Sequence, residues 1–184
     1  IEEGDKMIDF HTHIFPDQIA EKTISYLAGI CKMDPYLSGM KNALLQSMEQ
    51  VGITQSVILP VVTAPRQFES INKFALNFQE GSLISFGGIH PEQEHYKERL
   101  NWIKAQGFKG IKFHPDYQHM YFDDIRYKRI IAYASELDLI VVTHAVSDPF
   151  SPEDSHCTPK RIAVVIDEVQ PTKMVLAHMG GNLM

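Results

Sequence analysis

The chain places two histidines two residues apart at the end of a short apolar run, Ile8-Asp9-Phe10-His11-Thr12-His13. Further histidines close apolar runs at His90, His114, His144 and His178. A lone histidine at a strand end is ordinarily satisfied by its own turn. Six at successive run ends imply a shared site. Neutral imidazole is a good ligand for a divalent ion such as zinc, and a catalytic zinc takes about three protein ligands with one position open. Residues i and i+2 of a strand point to the same side, so His11 and His13 can take adjacent positions around one ion. Asp9, of the same parity, can hydrogen-bond a ligand imidazole from below. His144, which ends the run LIVVT, is the best third ligand. His178, which ends KMVLA, is either a further ligand or a base beside an activated water.

The elements that must bring these side chains together are legible as six apolar, β-branched runs at 7–10, 56–61, 83–89, 110–113, 139–143 and 173–177. Each is apolar on both faces, as buried parallel strands are. Helical periodicity separates them. Pro16 and Asp17 open one stripe with Ile19, Ile24 and Leu27, and Ser38 is a plausible cap for a second that Gly52 stops. Others carry Ile71 and Phe74, then Leu100 and Ile103, then Ile130 and Ile131. Thr158 and Pro159 form a cap and first-turn pair before Ile162 and Val165. Six β/α repeats predict an α/β fold with a parallel sheet, open or curled into a barrel. Parallel strands end on one face, so the histidines converge there. The polar segment 147–158 follows a strand end and reads as a loop over that mouth.

Composition narrows the function. A net charge of -6 among 184 residues, with no basic stripe, argues against a nucleic-acid partner or an anionic membrane surface. No unbroken apolar run, LIVV at 139–142 included, approaches the ~20 residues of a membrane helix. Two distant cysteines, Cys31 and Cys157, form neither a disulfide framework nor a CxxC zinc pair, which fits a reducing, cytoplasmic compartment. Residues 1–6 are polar and read as upstream residues, leaving 7–184 as one unit. The absence of a Gly-rich loop after the first run excludes a dinucleotide fold.

IDFHTH in the first strand, GIKFHPDYQ in the fourth, VVTHA in the fifth and LAHMGGN in the sixth resemble the amidohydrolase superfamily. The closest resemblance is to the amidohydrolase-related branch that includes aminocarboxymuconate-semialdehyde decarboxylase. It implies a distorted (β/α)8 TIM-like barrel of the metal-dependent hydrolase type with its site at the C-terminal mouth, of which only the first six β/α units are present. Carried over, His11, His13 and His144 would be metal ligands and His178 the acid/base beside the metal. The family's Asp from strand 8 lies beyond these residues. The resemblance further implies a metal-dependent hydrolase that cleaves a C–N or C–O bond of a small polar substrate with metal-activated water. Non-oxidative decarboxylation is the alternative within the family, and a catalytically silent metal-binding barrel or inactive fragment is the alternative outside it.

His114, Asp116 and Tyr117 sit at the same mouth and, with His156 in the loop, are expected to contact substrate. Lys112 shares the parity of His114. Two-metal branches use a carbamylated lysine on strand 4, but pairing with a carboxylate is the commoner state of such a lysine, so one Zn²⁺ is expected. His90 reads as a turn histidine, His95 and His119 as solvated. Gly180 and Gly181 read as a tight turn. A TatD-like nuclease carries Glu at the end of strand 4, where this chain has Lys112 and His114. A small molecule is the expected partner, with homo-oligomerisation left open.

Overall fold

The structure, a computed structural model, describes residues 6–145, 148, 149, 151 and 153–180. Its strands are β1 (Ile8–Thr12), β2 (Gln55–Ile58), β3 (Leu83–Ser85), β4 (Gly87–Gly88), β5 (Gly110–Phe113), β6 (Ile140–Thr143) and β7 (Met174–Leu176). The helices between them are α1 (Asp17–Cys31), α2 (Lys41–Val51), α3 (Phe68–Ala75), α4 (Tyr96–Ala105), α5 (Ile125–Glu136) and α6 (Pro159–Val169). Every strand pair is parallel, in the orders β1-β2-β3 and β4-β5-β6-β7. The alternating pattern therefore yields the parallel arrangement it predicts, because each crossover helix returns the chain to the same end of the sheet.

Two local expectations are corrected. The run 83–89 is one strand in the sequence pattern but two in the structure: β3 pairs with β2 and β4 with β5, with Phe86 between them. The pair Gly87-Gly88 permits close packing there. A Cβ on Gly88 would lie 2.7 Å from Val62 Cγ2, and one on Gly87 would lie 3.1 Å from Ile103 Cδ1. Ser38 does not cap α2, which starts at Lys41 after Met40. Gly39 intervenes in the left-handed region, at φ 75°, and places Ser38 outside the first turn. The expected cap at Thr158 does form, its side chain accepting from Arg161 N, and Asp124 caps α5 in the same way, accepting from Arg126 N.

The packing divides into three clusters. The largest joins β5 and β6 to α3–α6 through Leu100, Ile103, Ile111, Phe113, Ile130 and Val141, all fully buried. A second packs Leu44 and Met48 of α2 on Ile58 and Leu83. The third, Val57, Leu59, Phe86 and Val142, joins residues of both sheets, and Phe10 meets Phe86 edge to face at 5.7 Å. At the C-terminal ends, side chains from β1 and from the turn after β7 meet, with the His11 and His178 ring centroids 4.8 Å apart. Among the described residues, no helix is long and apolar enough to cross a membrane.

Candidate metal centre

β1 carries one extra residue relative to β2: Asp9 pairs with Ser56 and Thr12 with Ile58. Such a bulge re-aims side chains beside a site. Asp9 Oδ1 accepts the backbone N–H of His11 at 3.0 Å, and the Thr12 hydroxyl donates to Val57 O at 2.9 Å. Asp9 therefore fixes the backbone of the bulge, where strict alternation would have set it beneath an imidazole. His13 Nδ1 lies 2.8 Å from Leu59 O. A carbonyl only accepts, so Nδ1 carries the proton and the Nε2 lone pair faces the pocket. His11 Nε2 is 3.1 Å from that Nε2.

From this pair an arc of imidazoles crosses the mouth. Ring centroids are 5.0 Å apart for His13 and His11, 4.8 Å for His11 and His178, 4.7 Å for His178 and His144, and 4.0 Å for His144 and His114. Tyr117 stacks on His114 at 3.7 Å. Together with Asp148 these side chains line one cavity of about 300 Å³. His178 sits between His11 and His144, its Nε2 3.1 Å from His144 Nδ1. Its backbone is left-handed, as is that of Met179, a costly conformation for residues with a Cβ and one that concentrates at functional sites.

Asp148 was not legible from sequence. Its Oδ2 lies 3.5 Å from His144 Nε2 and 3.7 Å from His114 Nε2, and all three residues are buried. These three side chains form a second donor set, with candidate ligand atoms all within 4.8 Å of one another. Loops lack periodicity, and the only signal in the sequence is a carboxylate four residues after a histidine that ends a strand.

Electrostatics favour neutral imidazoles. Burial lowers the His11 pKa to about 3, with the Lys112 ammonium next in weight. His13, whose edge is open to solvent, is lowered by the same two causes, and its bond to Leu59 opposes them. Burial drives His114 far down, reinforced by His144 and Lys112, and lowers His178 as well. Lone pairs are thus available at neutral pH. The donors fit a divalent ion: two Zn–N bonds of about 2.05 Å at a tetrahedral angle hold nitrogens about 3.3 Å apart, near the 3.1 Å between His11 and His13.

Lys112 lies beneath this ring, fully buried, and its Nζ has no hydrogen-bond partner among the described residues. The expected carboxylate pairing is not seen there. Asp116 and His156, expected at the substrate, do not line the histidine cavity. The fully buried Asp116 accepts the His156 backbone N–H at 3.1 Å and pairs with its Nδ1 at 3.0 Å. This clasp ties the segment after β6 to the turn after β5. Gln118 fixes that turn: Oε1 accepts from His114 N and the Tyr127 hydroxyl, and Nε2 donates to Val62 O and Ile89 O. His90 accepts from Glu92 N within its own turn. Gly180 is left-handed, as a tight turn needs, whereas Gly181 lies outside the described residues, as do Ser147, Phe150 and Pro152 of the loop over the mouth.

Parallel β/α units whose strand ends gather histidines around one cavity define the mouth of an incomplete (β/α) barrel. The chain belongs to the amidohydrolase family: the family model described as "Amidohydrolase" matches residues 8–183. No curated protein sequence matches it. Among solved structures it is similar to a 5-carboxyvanillate decarboxylase from Novosphingobium aromaticivorans with bound manganese and 3-methoxy-4-hydroxy-5-nitrobenzoic acid. That match has a TM-score of 0.72 at 14% identity, over 97% of this chain and 67% of that one. It is also similar to 2,6-dihydroxybenzoate decarboxylase from Rhizobium, with a TM-score of 0.63 at 17% identity over 95% and 67% of the two chains. A third is a probable 2-pyrone-4,6-dicarboxylic acid hydrolase from Acinetobacter baumannii with citric acid bound. Its TM-score is 0.50 at 16% identity, over 90% of this chain and 55% of that chain. This chain thus spans about two thirds of the length of the decarboxylases. The fold is part of a TIM barrel, within a superfamily whose members are enzymes.

Proposed function

We propose that this chain carries a metal-dependent active site for a small carboxylic acid, with non-oxidative decarboxylation as its reaction. The observation that carries the reading is the arc of imidazoles around one cavity, beginning with two Nε2 atoms 3.1 Å apart. His11, His13 and His144 would hold one divalent ion, and an imidazole-rich donor set suits Zn²⁺. Bound there, the ion supplies Lewis acidity toward a carboxylate or water oxygen. His178 handles the proton, delivering it to the carbon that loses CO2, and its Nε2 stands 3.1 Å from His144 Nδ1. Tyr117, stacked on His114 at the cavity wall, positions substrate. Two structural neighbours named as decarboxylases support this reaction over others.

Hydrolysis of a C–N or C–O bond is the second reading, favoured by the family and by the neighbour named as a hydrolase. In it His178 takes a proton from water and returns it to the leaving group, a role worth roughly 10²- to 10⁴-fold. Free thiols at Cys31 and Cys157 fit action in the cytoplasm. The discriminating experiment offers the zinc- or manganese-loaded protein two panels, one of small carboxylic acids and one of amides and lactones. We expect CO2 release from at least one acid, abolished by chelation. Hydrolysis products without CO2 would establish the second reading, and no turnover despite stoichiometric metal would identify a silent metal-binding barrel.

A further inference from the structure

An amphipathic helix ordinarily buries its apolar stripe against protein. α1 does not: of its fifteen residues only Ala20 is buried. Thr23, Ile24, Tyr26 and Leu27 instead line a cavity of about 530 Å³, opposite Leu59, Pro60 and Val61. One end of this chamber is firmly built. Phe15 N donates to Gly39 O at 2.9 Å, and a Cβ on Gly39 would lie 2.8 Å from Ile24 Cγ1 and 3.1 Å from the Phe15 ring. The left-handed glycine thus lets Phe15 and Ile24 close together over it.

The chamber shares His13, His114 and Tyr117 with the smaller histidine cavity, so the two form one continuous site, polar at one end and apolar at the other. Among the described residues, no Asp, Glu, Lys or Arg lines the apolar part. Its volume falls in the range of small-molecule sites, about 300–1,000 Å³. A phosphorylated or sugar-like body would lose its hydration there without finding partners.

We propose that α1 is the specificity wall of the site: Ile24 and Leu27 seat an uncharged, ring-sized apolar body whose polar end reaches His13 and His114. The assignment of that polar end rests on the histidine cavity being the reacting site; the apolar seat is tested without it. Indole, a neutral ring that needs no metal, is the probe, and its binding to the metal-loaded protein is measured by calorimetry. Leu27→Arg, at a position that is not buried, is expected to weaken indole at least 10-fold while bound metal, measured by atomic absorption, is unchanged. Leu27→Ala is expected to weaken it several-fold, as loss of methylenes from an apolar pocket does, and guards against misfolding of the charged variant. Indole binding indifferent to both substitutions would overturn the proposal. So would sedimentation showing a dimer that Leu27→Arg dissociates, since a second copy would then cover the face. A protein that retains no metal yet binds indole through Leu27 would keep the chamber and remove the metal reading.

Discussion

His13→Ala is expected to release the bound ion and to lower turnover by ~10³-fold or more, with little change in folding. The arrangement at this residue makes the loss specific. Its Nδ1 is committed to Leu59 O, so the one lone pair it offers the cavity is that of Nε2, and the residue is exposed rather than part of the packing. Lewis-acid stabilisation contributes several kcal/mol, and ~4 kcal/mol corresponds to a thousandfold in rate. Metal content after gel filtration, the rate on whichever substrate panel is turned over, and thermal melting of the metal-free protein check the three parts. Retained metal with unaltered turnover would remove His13 from the ligand set.

Lys112→Met is expected to stabilise the protein. The ammonium is fully buried with no partner for Nζ among the described residues, and an uncompensated buried charge costs more than a well-packed apolar side chain of similar length. Burial lowers its pKa to about 8, against which nearby Cys157 acts. Between pH 8 and the unfolded value of 10.5, the unfolded chain holds a proton that the folded chain has shed. Folding stability therefore rises with pH through that window, and the penalty is fully present below it. The shift is worth about 3 kcal/mol. In urea denaturation the variant should exceed the parent by roughly 1–3 kcal/mol at pH 7, and the difference should close as pH rises from 8 toward 10.5. A destabilised variant, or a difference independent of pH, would show that Nζ has a partner. The same substitution removes one of the causes that lower His11, His13, His114 and His178.

The gathering of histidines was legible because it follows from topology. Once six apolar runs alternate with helices, the ends of parallel strands share a face, and His11, His13, His114, His144 and His178 line one cavity as that rule requires. What the pattern could not carry was anything set by irregular backbone. The β1 bulge turned Asp9 from the imidazoles to the chain itself. Asp148 reaches His144 and His114 from a loop with no period to read. Polarity marked Asp116 and His156 as mouth residues, yet a buried clasp needs the same polarity, and their pairing is a contact across forty residues. The apolar stripe of α1 was visible, but a hydrophobic face looks the same in sequence whether it meets a core or a chamber.

An ion is expected on the histidine pair His11 and His13 at the end of β1. Crystals of the protein grown with Zn²⁺ or Mn²⁺, measured at the absorption edge of the metal, test it most directly. The expected result is an anomalous peak about 2.0–2.2 Å from Nε2 of both His11 and His13. A peak held only by His114, His144 and Asp148, or none at a concentration that saturates binding in solution, would contradict it.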